Sequence, residues 1–231
     1  MATYAWTGAA SALALGGQAA GQGGEDLERH ALRWARVLAK LWKIEITVEG
    51  LGGHAARPQF AVDTVLVGAQ IVNAIQSVVA RNVDPLESAV VSICMFQAGN
   101  TDNVIPQTAQ LRGTARAFSA GVRDLLEERL KRLVEGTAQS YGAKATLTYR
   151  RGYPVLVNHR REAEFAASVA ANVVGRDKVD DDMAPVMGAE DFAYMLQARP
   201  GAFVFVGNGD SANLHHPAYD FNDEVIPVGA S

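Results

Sequence analysis

Five short polar clusters carry side chains that can do chemistry. His54 sits in Gly50-Leu51-Gly52-Gly53-His54-Ala55-Ala56-Arg57-Pro58, a glycine-rich turn that frees the backbone to present one imidazole. Asn103 opens Asn103-Val104-Ile105-Pro106, where an amide precedes a proline-stiffened turn. Arg116 ends an alternating run, and a guanidinium there suits bidentate binding of a carboxylate. Glu190 and Asp191 form an adjacent carboxyl pair at a predicted helix start, where acids favour the helix dipole. His215 and His216 lie in a polar loop; adjacent histidines seldom both face one ion, so one ligand at most is expected. Ser211 lies four residues before His215, and Asp191 or Asp220 would be candidates to orient an imidazole. No Gly-x-Ser-x-Gly elbow accompanies that serine. Each cluster also has a plain structural reading, as a turn, a cap or a solvated strand position.

The elements around these residues follow from periodicity. Ile44–Glu49 alternates as a half-buried strand, and a helix is predicted over Ala61–Arg81. Strands are predicted at Ala89–Phe96, Ala109–Phe118 and Ala145–Tyr149, with a helix over Gly121–Tyr141 between the last two. Strand, helix, strand, strand, helix, strand is the ferredoxin-like order, an antiparallel sheet with both helices on one face. The remainder reads as helices over Glu162–Val174 and Ala189–Gln197 and a buried strand over Ala202–Val206. That is too little chain for an independent α/β layer, so it reads as part of a larger sheet domain.

Before Ile44 the pattern differs. Met1–Gly24 is an Ala/Gly-rich leader whose apolar patch is too short to span a membrane. Leu27–Trp42 carries apolar residues at helical spacing with arginines opposite, which predicts an amphipathic helix. The expected organisation is a leader and helix over 1–43, a ferredoxin-like domain over 44–153, and a further unit over 154–231.

Composition bounds the function. The chain has 231 residues, 48% hydrophobic and 20% charged, as in a soluble globular protein. A net charge of -4 favours neither nucleic acid nor an anionic membrane surface. Cys94 is the only cysteine, which excludes an internal disulfide framework and a thiolate zinc cluster and fits a cytoplasmic setting. A four-stranded sheet leaves open edges that must be covered, charged or paired, and this predicts a homodimer.

Taken together, Gly50–Pro58, Gly99–Pro106, Gly113-Thr114-Ala115-Arg116, Gly188–Phe192 and Leu214–Pro217 occur in an order that resembles the di-metal aminoacylase and amidohydrolase peptidase family. The likeness is to its hippurate hydrolase and auxin-conjugate hydrolase branch, from about Ile44 to the C-terminus. The resemblance implies hydrolysis of the amide bond of N-acyl amino acids. It implies a ferredoxin-like lid and dimerisation domain followed by the C-terminal portion of a metallopeptidase-type catalytic domain. His54 would polarise the scissile carbonyl and stabilise the oxyanion, commonly in a neighbouring subunit's site. Asn103 and Arg116 would bind the substrate's carbonyl or carboxylate. His215 would be a metal ligand if other ligands are supplied, with His216 its non-ligating neighbour. Glu190 and Asp191 match a motif beside the site without a firm role. The family uses two divalent metals, zinc or manganese, and places most ligands and the general-base glutamate before the lid. No Gly-Cys-Gly-His-Asp-like segment or Glu-Glu pair precedes Ile44. One histidine cannot hold a catalytic zinc, which needs three protein ligands and an open position. A complete metal site is therefore not expected. Three expectations remain open: a hydrolase with weak or altered activity, including metal-independent ester hydrolysis; a non-catalytic oligomerising module; and half of a split enzyme completed by another chain.

Overall fold

The computed structural model describes residues 32–34, 37–38 and 40–231, with side chains from Trp42 onward. It begins with three strands, β1 (Leu32–Trp34), β2 (Val37–Leu38) and β3 (Lys40–Glu49). The amphipathic helix expected over Leu27–Trp42 is thus corrected: every described residue in that stretch is extended. Sheet pairing overrides the local helical spacing, because β3 is hydrogen-bonded on both sides along almost its whole length. The Ala/Gly leader lies outside the described residues.

The chain divides into two compact units, one of them Lys40–Gly152. In this unit β3 is followed by the short β4 (Gly53–His54), α1 (Thr64–Asn82), β5 (Ala89–Ala98) and the short β6 (Val104–Ile105). β7 (Thr108–Ala117), α2 (Ala120–Ser140) and β8 (Lys144–Arg151) complete it. The sheet order is β5-β7-β3-β8, antiparallel throughout. Trp42, Ile44, Ile46 and Val48 of β3 and Ala109, Leu111, Ala115 and Ala117 of β7 enter one core with Val67, Ile71, Ile75 and Val78 of α1 and Leu126, Leu130 and Val134 of α2. Alternation therefore sends Lys43, Glu45, Thr47 and Glu49 to the opposite face, and both helices cover a single face. Asp63 caps α1 by accepting from the amides of Val65 (2.9 Å) and Leu66 (3.2 Å), and Ser119 caps α2 through Val122 (3.2 Å). By length and composition α1 would suit a membrane span, yet its apolar stripe is spent on this core.

The other unit contains Tyr153–Ser231 and the described residues before Lys40. Its elements are β9 (Leu156–Val157), α3 (Arg160–Val174), β10 (Val179–Asp180), α4 (Phe192–Ala198), β11 (Val204–Val206) and α5 (Val225–Ala230). β1 lies between β10, to which it is parallel, and β11, to which it is antiparallel; β2 pairs with β9. Two small cores result, one around Leu156, Leu196, Phe203 and Phe205, the other around Ala167, Ala170, Val179, Val206 and Val225. The whole is a mixed α/β fold.

Candidate functional site

The turn after β3 is held by the two-residue link between β6 and β7. Gly50 N–H donates to the Gln107 carbonyl (3.0 Å), and Leu51 and Val62 exchange backbone hydrogen bonds (3.2 and 2.9 Å). A Cβ on Gly50 would lie 2.3 Å from the Val62 carbonyl oxygen and 2.8 Å from Thr64, so only glycine permits this approach. Buried Thr64 donates its hydroxyl to the Pro106 carbonyl (2.9 Å), tying the start of α1 to the same link. Pro58 begins a 3-10 turn over Pro58–Phe60.

These ties bring His54 and Asn103 side by side. β4 pairs with β6, His54 opposite Val104, and the Ala55 amide donates to the Asn103 carbonyl at 3.0 Å. Both side chains are exposed. The Nδ1 of His54 accepts the Ala56 amide at 3.1 Å. An amide donor at Nδ1 suits the tautomer whose proton is on Nε2, with Nε2–H as an outward donor. Asn103 Oδ1 accepts the Thr101 hydroxyl (3.1 Å), which leaves its carboxamide NH2 as the donor end. Two donors thus stand side by side, one on β4 and one in the turn that leads into β6.

Arg116 is at the other end. It lies near the close of β7, opposite Leu41 of β3 and Val90 of β5. The nine residue-to-residue steps from Gln107 to Arg116 span about 30 Å at roughly 3.4 Å each. Within one chain, Arg116 does not join the His54–Asn103 pair.

The remaining sequence-derived residues belong to the second unit. Glu190 is 5% exposed; its Oε1 accepts the Asp191 amide at 3.1 Å. Burial, reinforced by the hydrogen-bonded Asp191 carboxyl, pushes the Glu190 carboxyl up to about 7. Asp191 itself is exposed and makes no capping bond to α4. His215 is exposed with φ 66, a left-handed conformation that a non-glycine residue rarely adopts. His216 Nδ1 accepts the Ala218 amide at 3.1 Å. The Ser211 hydroxyl accepts from Asn208 (2.9 Å), and no hydrogen bond joins it to His215, so no serine–histidine dyad is assembled. Sequence reasoning passed over Asn208, the residue that organises this loop. It is buried, donates to Ser211 and to the Asp220 carbonyl (2.8 Å), and accepts from the Asn222 amide (2.9 Å). Its only signal was an amide directly after a buried strand. Gln107 was passed over in the same way.

A cavity of about 830 Å³ opens on α3, floored by Ala163, Ala167 and Ala171. The charges on its rim are already paired, Arg176 with Asp181 and Arg160 with Glu164, each at 2.7 Å. None of the candidate residues lines it, so the chemistry is better sought at the His54 turn. Among the described residues no group of three or more His, Cys, Asp or Glu side chains is placed to hold a metal ion.

The chain is thus a two-unit α/β protein with a histidine turn on one unit and a histidine loop on the other, and comparisons with known proteins make its class specific. Residues 35–231 match Peptidase family M20/M25/M40, and the chain belongs to that family. The match starts earlier than expected: residues 35–43, placed by the sequence pattern outside the resemblance, are part of it. Among relatives, a putative amidohydrolase, YhaA, of Bacillus subtilis is 42% identical over 211 residues, 89% of this chain and 53% of its own length. The N-acetylcysteine deacetylase of the same species is 37% identical, with 84% and 50% covered. The hippurate hydrolase of Campylobacter jejuni is 33% identical, with 87% and 52% covered. A solved Bacillus subtilis protein, YXEP, described as a dinuclear metal-binding M20 peptidase, superposes with a TM-score of 0.60 at 31% identity, covering 85% of this chain and 49% of that one. The chain spans about half the length of the relatives it matches. The residues described do not fit a dinuclear centre by themselves.

Proposed function

We propose that this chain supplies the carbonyl-polarising and substrate-holding elements of an amide-bond hydrolase for N-acyl amino acids, and that it acts as a homodimer. Lys40–Gly152 is then its ferredoxin-like lid and Tyr153–Ser231 the C-terminal portion of the catalytic domain. The observation that carries the reading is the hydrogen bond from the Ala56 amide to His54 Nδ1. With Nδ1 occupied by the Ala56 amide, Nε2–H is a fixed neutral donor, as a developing oxyanion requires. Asn103, in the turn before the neighbouring strand, adds a second donor. Arg116 suits the substrate carboxylate. Because about 30 Å separates it from the His54–Asn103 pair along β7, one small substrate meets all three only if two copies contribute.

The dimer surface follows from charge. The edge strand β5 has no charged residue, and adjoining α1 has only Arg81. Leu66, Val65, Met95 and Phe96 are exposed along this side. The opposite side is guarded: β8 carries Lys144, Arg150 and Arg151, and α2 is densely charged. Edge strands avoid unwanted pairing by such charges, and β5 lacks them. A second copy pairing along β5 and α1 fits.

No step is assigned to a metal, and His215 would ligate one only with partners that the described residues do not provide. Carbonyl polarisation alone helps most where the leaving group needs no proton, so activated esters are the substrates expected of this chain alone. Purified protein is to be assayed on p-nitrophenyl acetate and on N-acetyl amino acids, with and without chelator, in parallel with metal analysis. Chelator-resistant ester hydrolysis that falls about 10²-fold in His54→Ala supports the reading. Ester hydrolysis unchanged in His54→Ala overturns it. If neither substrate is turned over by a folded dimer, the second reading stands, a non-catalytic oligomerising module, which the uncharged β5 edge favours. Turnover of N-acyl amino acids only on adding another chain identifies a split enzyme. Loss of ester hydrolysis in Ser211→Ala or His215→Ala, with His54→Ala silent, moves the chemistry to the C-terminal loop. A cytoplasmic location is proposed from the single cysteine.

A further inference from the structure

We propose that Gln107 is a positioning residue for His54, a side-chain brace that fixes the direction of its Nε2–H; this rests on His54 being the carbonyl donor. Gln107 meets the turn three times. Its backbone carbonyl accepts from Gly50 N–H at 3.0 Å. Its carboxamide oxygen accepts from Gly52 N–H at 2.9 Å, and its carboxamide nitrogen donates to the Gly50 carbonyl. A primary amide places a donor and an acceptor side by side, as a peptide group does. The side chain thus acts as one more rung of sheet, across 57 residues of sequence at Gly50, at the point where β3 has ended and the two-residue β4 has barely begun.

The turn needs such a brace. Between Glu49 and Gly53 no regular strand holds the chain, and three of the four residues Gly50–Gly53 are glycines with the greatest backbone freedom to lose. Gly52 packs tightly against the link between β6 and β7: a Cβ there would lie 3.1 Å from the Ile105 carbonyl oxygen and 3.2 Å from Gln107 N. Only one residue separates Gly52 from His54. Released, the turn would carry its displacement directly into the imidazole and its Ala56 bond. A glutamate at this position keeps the acceptor for Gly52 and loses the donor to Gly50 once ionised. An alanine loses both.

The test reads His54 itself. In the 15N-labelled full chain at mildly alkaline pH, a long-range imidazole correlation spectrum distinguishes protonated from unprotonated ring nitrogens, with His54→Ala assigning the signal. The wild type is expected to show an unprotonated Nδ1 and a protonated Nε2. In Gln107→Ala the two nitrogens are expected to shift toward a tautomer average and the Gly52 amide to exchange at least about 10-fold faster, with Ile46 and Leu111 amides unchanged. An unaltered His54 pattern in a variant with an intact core overturns the proposal. If Gln107→Ala loosens Ile46 and Leu111 as well, Gln107→Glu decides: an unaltered pattern there overturns it, and a partial shift with a protected core supports it. A kinetic cycle adds a readout that general loosening would not produce. Gln107→Ala should lower kcat for ester hydrolysis about 10-fold in the wild type, since displacement of about 1 Å can cost up to 10²-fold, and should change nothing further in His54→Ala. Equal losses in both backgrounds overturn it. Activity indifferent to His54→Ala would remove the function proposed for His54, while the imidazole spectrum would still test the brace independently.

Discussion

The two units are built to different standards of closure. Lys40–Gly152 has strands of up to ten residues and helices of 19 and 21 residues, and it encloses Trp42, isoleucines and leucines at or near zero exposure. Trp42 stacks on Tyr149 with ring centroids 6.0 Å apart. The second unit has strands of two or three residues, and one of its cores is made only of alanines and valines. Phe165, Val169 and Val173 recur every four residues along α3 and stay exposed, as does Tyr194 on α4. Long strands let one sheet face meet two long helices without outside help. Short strands bury too little, and their helices keep apolar faces for something else. The contrast teaches that the His54–Asn103 turn rests on the unit with the larger core, whereas His215 and Glu190 rest on the one whose helices keep exposed apolar faces.

Core deletions test this contrast most strongly. Leu130→Ala, in the first unit, should cost about 3 kcal/mol of unfolding free energy, and Val225→Ala, in the second, about 1 kcal/mol. Urea denaturation followed unit by unit through amide exchange would show them, and equal costs would dissolve the distinction.

Next in size is the pH response of the second unit. Glu190 has a folded pKa of about 7, above its ordinary value, so the folded state binds the extra proton. Stability from this group is therefore fully present below the ordinary carboxylate range and declines as pH rises toward and through 7, by on the order of 2 kcal/mol. Glu190→Gln should flatten that decline. A wild type whose second-unit amides exchange equally at pH values above and below this window would contradict it.

The smallest expected effect sharpens the contrast between edges. Leu66→Glu on α1 should weaken self-association about tenfold, as light scattering over a dilution series would show, because it desolvates a charge at the contact. Glu128→Lys on charged α2 should leave the mass unchanged. A monomer at all concentrations would remove the dimer.

Legibility in the sequence followed the same division. β3, β5, β7, β8 and both long helices announced themselves because alternation and helical spacing persisted long enough to be unambiguous. Leu27–Trp42 misled because its spacing satisfied a helix, while the ladders that make β3 central join it to residues some seventy and a hundred positions away. His54 and Asn103 were legible as separate turn motifs. Their adjacency was not, since it depends on a two-residue pairing across fifty intervening residues. Asn208 and Gln107 escaped notice because an amide's role lies in which backbone groups it reaches, and no local pattern encodes that.

The sequence by itself determined the residue types available for chemistry, the periodicities of the long elements, and the ordered motifs by which the family is recognised. Tertiary structure decided the rest. It set His54 beside Asn103 and placed Arg116 about 30 Å away along one strand. It also buried Glu190 while leaving Asp191 in water. The physical reason is common to all three: adjacency, strand pairing and desolvation depend on neighbours distant in the chain, and only folding brings those neighbours to the side chain.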